Sequence, residues 1–175
     1  VDRIVVSAWT RGFAGAPGLA LVATGGYGRG ELFPYSDVDL LVLAEAGSQR
    51  DQRETIERWF ALLWDIGLVP GHAVRSVAQC VEAARADVTV ATSLLEARPL
   101  VGDSAALTRL LVALRTPDLW PAEAFLEAKR NEWRSRHARF NDTAYNLEPN
   151  IKDGPGGLRD IHALGWLAKR LFGVR

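Results

Sequence analysis

Two short apolar runs with a glycine cluster between them constrain this chain more than any other feature. Leu19-Ala20-Leu21-Val22-Ala23-Thr24 is followed by Gly25-Gly26-Tyr27-Gly28-Arg29-Gly30-Glu31-Leu32, and a second apolar run occupies residues 38–43. Apolar runs this short, bounded by glycine, predict buried strands, and the glycines predict a turn that opens a short helix. The second strand also carries acids, in Ser36-Asp37-Val38-Asp39-Leu40. Side chains alternate across a strand with a period of two. Asp37 and Asp39 therefore share one face, while Val38, Leu40 and Val42 point to the other, into the core.

Around this unit the spacing of apolar residues predicts mainly helix: residues 2–13, 48–66, 78–85, 87–97 and 104–114. A third strand is predicted over residues 68–77, and Pro99 with Gly102-Asp103 reads as a turn. Beyond Pro117 a long charged helix is predicted over residues 121–140. An irregular stretch over 141–157 and a last helix over 158–172 follow. The expectation is an α/β (α+β) fold with a short mixed sheet of about three to five strands, followed by a helical segment. The domain division falls at 1–116 and 117–175, with the helical segment packed beside the active-site cleft as the start of a truncated helical domain.

Composition narrows the function classes. Lys+Arg and Asp+Glu are both 21, so bulk charge gives no reason to expect a nucleic-acid partner or a membrane surface. One cysteine, Cys80, rules out an internal disulfide framework and a cysteine zinc site. No uncharged apolar run reaches the ~18 residues of a membrane span. No signal peptide is visible, so a cytoplasmic setting is expected. The chain contains no methionine and reads as a piece of a longer protein.

Two carboxylates on one strand face repel each other unless a cation compensates them. Mg²⁺ accepts such hard oxygen ligands and completes its shell with substrate phosphates. The Gly-Gly turn supplies a complementary part, because glycine lets backbone N–H groups approach an anion. Gly25 and Gly26 are the predicted phosphate cradle, and Arg29, one turn on, can reach the same phosphates. No Gly-Lys-Ser/Thr follows, so the turn is not a P-loop. Position 31 is Glu31 and no acid lies on a strand some twenty residues on, so it is not a dinucleotide fingerprint. What remains is nucleotidyl or phosphoryl transfer to or from a metal-bound nucleoside triphosphate.

These residues resemble the DNA polymerase β nucleotidyltransferase superfamily, whose signature is Gly-Gly/Ser before Asp-x-Asp on the next strand. The fuller string from Gly25 to Leu41 resembles the nucleotidyltransferase domain of the bacterial PII uridylyltransferase family. So does Tyr145-Asn146-Leu147-Glu148-Pro149-Asn150-Ile151-Lys152-Asp153-Gly154-Pro155-Gly156-Gly157-Leu158-Arg159-Asp160-Ile161-His162. The resemblance implies that Asp37 and Asp39 are catalytic metal ligands and that Gly25 and Gly26, with Arg29 and Ser36 in the same string, bind nucleotide. It implies Mg²⁺ as cofactor, UTP as donor and a tyrosine of the PII signal protein as acceptor. It also implies a longer parent, whose hydrolytic and glutamine-sensing domains lie beyond this region.

Several assignments stay open. The superfamily's third carboxylate falls near His72, which is either a metal ligand or a strand histidine bonded to backbone. Asp87 and Glu96 are further candidates for a third acid. Lys152 and Arg159 either contact phosphate from a second anion-friendly turn or belong to a capped helix entry with a charged first turn. The helix bearing Lys129, Arg130, Arg134, Arg136 and Arg139 reads as a solvated face. An adenylyltransferase acting on glutamine synthetase, which shares part of the 152–161 string, and a non-catalytic nucleotide-binding module are the alternative functions.

Overall fold

A computed structural model describes residues 1–13, 18–34, 36–145 and 147–173, excepting the side chain of Ala46. The chain divides into two compact units, Val1–Leu114 and Arg115–Arg175.

The first unit runs α1 (Asp2–Gly12), β1 (Leu19–Ala23), α2 (Gly25–Gly28), β2 (Val38–Ala44), α3 (Ala46–Asp51), α4 (Arg53–Asp65), β3 (Pro70–Arg75), α5 (Val77–Ala86), α6 (Val88–Leu95), β4 (Arg98–Gly102) and α7 (Ser104–Leu114). Its four strands form one mixed sheet in the order β3-β2-β1-β4. β1 is antiparallel to both β2 and β4, whereas β2 and β3 are parallel.

Both faces of the sheet are covered, which is why β1 is buried along its whole length. On one face α1, the Phe13 that caps it and α4 supply Val5, Trp9, Phe13, Ile56, Trp59, Phe60 and Leu63, packed on Leu21, Leu40 and Val42. Trp9 stacks on Phe13 at 4.1 Å between ring centroids and meets Trp59 edge-on at 5.1 Å. Each such large side chain, fully buried, contributes about 1.5–3 kcal/mol. On the other side α5, α6 and α7 pack together, with α7 against β1 and α5 against β3. Their buried residues include Cys80, Ala84, Leu94, Leu107 and Leu110.

The structure corrects two expectations. The predicted helix over 48–66 is two helices, α3 and α4, broken at Gln52 (φ −104°, ψ 7°). The Gln52 N–H still reaches the Ser48 carbonyl at 3.0 Å, so the chain bends without losing backbone pairing. The region read as a turn around Pro99 is strand β4. It lies at the sheet edge, where proline's missing N–H is tolerated. It ends at Gly102 (φ +102°), where a Cβ would run into the Leu19 carbonyl oxygen.

The second unit contains α8 (Ala122–Ala138) and α9 (Leu158–Phe172), joined by an irregular segment. No strand occurs among its described residues. No helix among the described residues is long and apolar enough to cross a membrane.

Candidate nucleotide and metal site

The site in the first unit forms where β1 ends, β2 begins and α2 turns between them. The Thr24 N–H donates to the Asp39 carbonyl at 3.0 Å, fixing the glycine turn to the start of β2. Asp39 lies opposite Gly71 in the parallel ladder. Its carboxylate occupies a slot between two glycines. A Cβ at Gly71 would lie 2.5 Å from Asp39 Oδ1, and a Cβ at Gly25 would lie 2.9 Å from Oδ2 and 3.5 Å from Ser93 Oγ. Neither glycine can be replaced without moving the carboxylate. Gly25 also has φ +55°, a left-handed conformation that glycine adopts without strain.

Asp37 is exposed, one residue ahead of β2, while Asp39 is half-buried. The turn that delivers them is closed by Ser36, whose N–H donates to the Phe33 carbonyl and whose Oγ accepts from the Phe33 N–H, both at 3.0 Å. The side chain of Arg29 pairs with Glu31 at 2.8 Å, and its Nη2 lies 3.6 Å from where a Cβ on Gly26 would be. The cation thus spans the second glycine of the turn. The first N–H groups of α2 have no acceptor within so short a helix.

These residues fit Mg²⁺. Asp37 and Asp39 are hard oxygen donors, and the two glycines leave clearance around the Asp39 carboxylate. No group of three or more His, Cys, Asp or Glu gathers as a metal cluster among the described residues. Mg²⁺ is commonly held by one or two carboxylates plus substrate phosphates.

His72 is not brought to the carboxylates. It pairs with Leu40 in the ladder, one residue out of phase with Asp39, and so faces the opposite side of the sheet. Its ring packs on Phe60 at 4.2 Å and on Trp64 at 5.7 Å between centroids. Asp87 is the N-cap of α6, accepting from Thr89 N at 2.7 Å. Glu96 is buried just past α6, and its carbonyl fills the space a Cβ on Gly28 would need.

Sequence reasoning missed Gly71, Ser93 and Arg98. Gly71 stands beside the histidine that drew attention, and only the ladder register shows which of the two shares a face with Asp39. Arg98 opens β4 and donates to the carbonyls of Gly28 and Tyr27, both at 3.3 Å. It also pairs with Asp2 at 2.8 Å, which holds the Asp2 carboxyl below the usual carboxylate range.

The second unit ties its charges to one another. Asp160 accepts from Arg136 Nη2 at 2.8 Å and from the Gly156 N–H at 2.8 Å, and His137 Nε2 lies 3.1 Å from both its oxygens. Burial alone would raise the Asp160 carboxyl, but these hydrogen bonds outweigh it and hold the group below its ordinary value. Glu132 bridges Lys129 at 2.9 Å and Arg136 at 3.2 Å. Burial pushes the Lys129 ammonium down, an effect opposed by Glu132. The expectation of a solvated basic face fails for Lys129 and Arg136, which are only 4% and 2% exposed. Paired carboxylates, and for Lys129 the Trp166 ring at 4.6 Å, make that burial tolerable. Arg130, Arg134 and Arg139 are exposed as expected. Arg159 pairs with Asp153 at 3.2 Å, and Lys152 is exposed.

Residues 12–72, which carry the strand, the glycine turn and the strand-borne carboxylate beside it, match the family described as "Nucleotidyltransferase domain". Residues 124–175 match the family described as "GlnD PII-uridylyltransferase". A curated relative from Xanthomonas campestris pv. campestris (strain 8004), named bifunctional uridylyltransferase/uridylyl-removing enzyme, is 58% identical over 100% of this chain and 20% of its own length. One of the same name from Pseudomonas entomophila (strain L48) is 53% identical over 99% of this chain and 19% of its own. The chain spans about a fifth of the length of the curated relatives it matches. This chain is thus similar to the nucleotidyltransferases over residues 12–72 and to the PII-uridylyltransferase family over residues 124–175.

Proposed function

We propose that this chain is the transferase portion of a cytoplasmic enzyme that moves UMP from UTP to a tyrosine of the PII signal protein, with Mg²⁺ as cofactor. The observation that carries the reading is the Asp39 carboxylate, held between Gly25 and Gly71 at the mouth of the glycine turn. The names of the relatives favour uridylyl over adenylyl transfer.

Asp37 and Asp39 would hold the metal, which when bound neutralises phosphate charge and favours ionisation of the attacking hydroxyl. Gly25 and Gly26 offer backbone N–H groups to the triphosphate, and Arg29 adds a cation above Gly26. Ser36 keeps the turn before β2 closed, so that Asp37 and Asp39 enter the site in register. Arg159, engaged by Asp153, is left out of the phosphate set. The tyrosine oxygen attacks the α-phosphorus of UTP in line. The new O–P bond forms as the bond to pyrophosphate breaks, and the phenolic proton leaves to solvent. Positioning and charge neutralisation supply most of the rate.

The test is incubation with PII protein, labelled UTP and Mg²⁺, alongside thermal melting. UTP at a hundredfold excess over its dissociation constant is expected to stabilise the chain by about 2.7 kcal/mol, and only with Mg²⁺ present. An equal shift in EDTA would show that nucleotide binding does not run through these carboxylates.

A further inference from the structure

We propose that Arg98 is a positioning residue of this site, holding the Gly25–Gly28 turn where Gly25 confines the Asp39 carboxylate. The proposal rests on the nucleotide site assigned above and deepens it. The backbone of Arg98 is paired opposite Ala23, the last residue of β1, so its origin is fixed by the sheet. Its side chain then crosses to α2. Nε donates to the Gly28 carbonyl and Nη2 to the Tyr27 carbonyl, both at 3.3 Å. Nη1 and Nη2 also grip the two oxygens of Asp2, at 2.8 and 3.3 Å. The guanidinium lies 5.6 Å from the centroid of the Tyr27 ring. One planar fork therefore joins the sheet edge, the start of α1 and the end of α2.

That grip matters because α2 has four residues and a helix so short does not hold itself. The Tyr27 carbonyl also accepts from the Gly30 N–H at 3.1 Å, whereas the Gly28 carbonyl needs a donor, and a cation is the favoured group at that end. Arg98 supplies both. At Gly28 the turn also meets the Glu96 carbonyl, which leaves no room for a side chain. The end of the turn is thus held by residues 96–98, and Gly25 at its far end is kept against Asp39 Oδ2. Arg98 touches neither carboxylate, so its effect on the site passes through the turn.

The test uses Arg98→Ala, Arg98→Lys and Asp2→Asn in the chain as it stands, with two readouts. The first is amide hydrogen exchange at Gly28 and Arg29, whose N–H groups donate to Thr24 and Gly25 carbonyls, against Leu21 and Val42 in the sheet. The second is Mg·UTP affinity by calorimetry. Arg98→Ala is expected to speed exchange in the turn and to weaken Mg·UTP binding, each by about tenfold or more, while Leu21 and Val42 hold their protection. Arg98→Lys, which keeps the charge but loses the fork, is expected to fall between. Asp2→Asn spares both carbonyl bonds and is expected to change either readout by less than about threefold. Uniform acceleration across turn and sheet would reduce Arg98 to a staple of the fold and overturn the proposal. So would faster exchange in the turn with unchanged affinity. If the unaltered chain takes up no Mg·UTP, the proposed function falls, and the exchange measurements still decide whether Arg98 holds the turn.

Discussion

The chain builds two glycine turns and uses glycine differently in each. At Gly25, and across the ladder at Gly71, the atom a side chain would strike is a carboxylate oxygen of Asp39. At Gly154 and Gly157 it is the chain's own backbone, with the Asn150 carbonyl 2.7 Å and the Ile151 carbonyl 2.8 Å from the added Cβ. Charges are paired at both turns, Arg29 with Glu31 at the first. Beside the second turn Asp160 and Arg159 are taken up by Arg136, His137 and Asp153. Beside the first, Asp37 faces solvent. A glycine that clears space for a carboxylate leaves that carboxylate reachable by a ligand. At Gly154 and Gly157 the cleared space takes local backbone and makes a tight return of the chain.

The largest expected effect tests the first turn directly. Asp39→Asn should lower uridylyl transfer by about a thousandfold or more, since a metal ligand is worth several kcal/mol to the transition state. Its melting temperature without metal should stay level or rise slightly, because like-charge repulsion with Asp37 is relieved. Appreciable transfer by this variant would refute the metal assignment.

The next effect belongs to the second turn. Asp160→Asn should cost about 3 kcal/mol, because Arg136 is left buried with one partner fewer. It should also remove part of the acid sensitivity. The Asp160 carboxyl is held below its ordinary value in the folded chain. Its contribution is therefore present above the unfolded value of about 3.9 and is lost as pH falls through the lower folded value. Hydrogen exchange of the α9 amides between about pH 2.5 and 6 reads this. An unchanged acid slope in the variant would rule out Asp160 as its source.

Swapping glycines sharpens the comparison further. Gly71→Ala should weaken Mg·UTP binding by about tenfold with little loss of stability. Gly157→Ala should do the reverse, lowering stability by about 1–3 kcal/mol with nucleotide affinity unchanged. If both variants moved the same readout, the two turns would not differ in the way described. The smallest effect is that of Lys152→Ala, an exposed cation, which should change Mg·UTP affinity by no more than about threefold.

The parts of the molecule legible in the sequence are those written in neighbouring residues. The glycine turn and Asp39 lie within fifteen positions, and strand alternation alone sets Asp39 on the face opposite Leu40 and Val42, while Asp37 falls one residue ahead of β2. α7 and α9 begin and end where their apolar spacing puts them. What was not legible depends on distant partners. β4 contains a proline and ends at a glycine, and it is a strand because β1, far back in the chain, offers a free edge. The side of the sheet that His72 faces is set by its register with Leu40, which period-two reasoning within β3 cannot supply. Arg136 looked solvated because its partner Asp160 lies on the next helix.

The lone cysteine has a consequence for timing. Cys80 sits fully buried in α5, and burial pushes its thiol up to about 11. At neutral pH the buried thiol stays protonated, and it does not meet solvent in the closed fold. Oxidants and alkylating reagents can act only during an opening of the layer that includes α5. The rate of thiol capture by a fast reagent therefore counts those openings, and the protein carries its own clock for the breathing of the first unit.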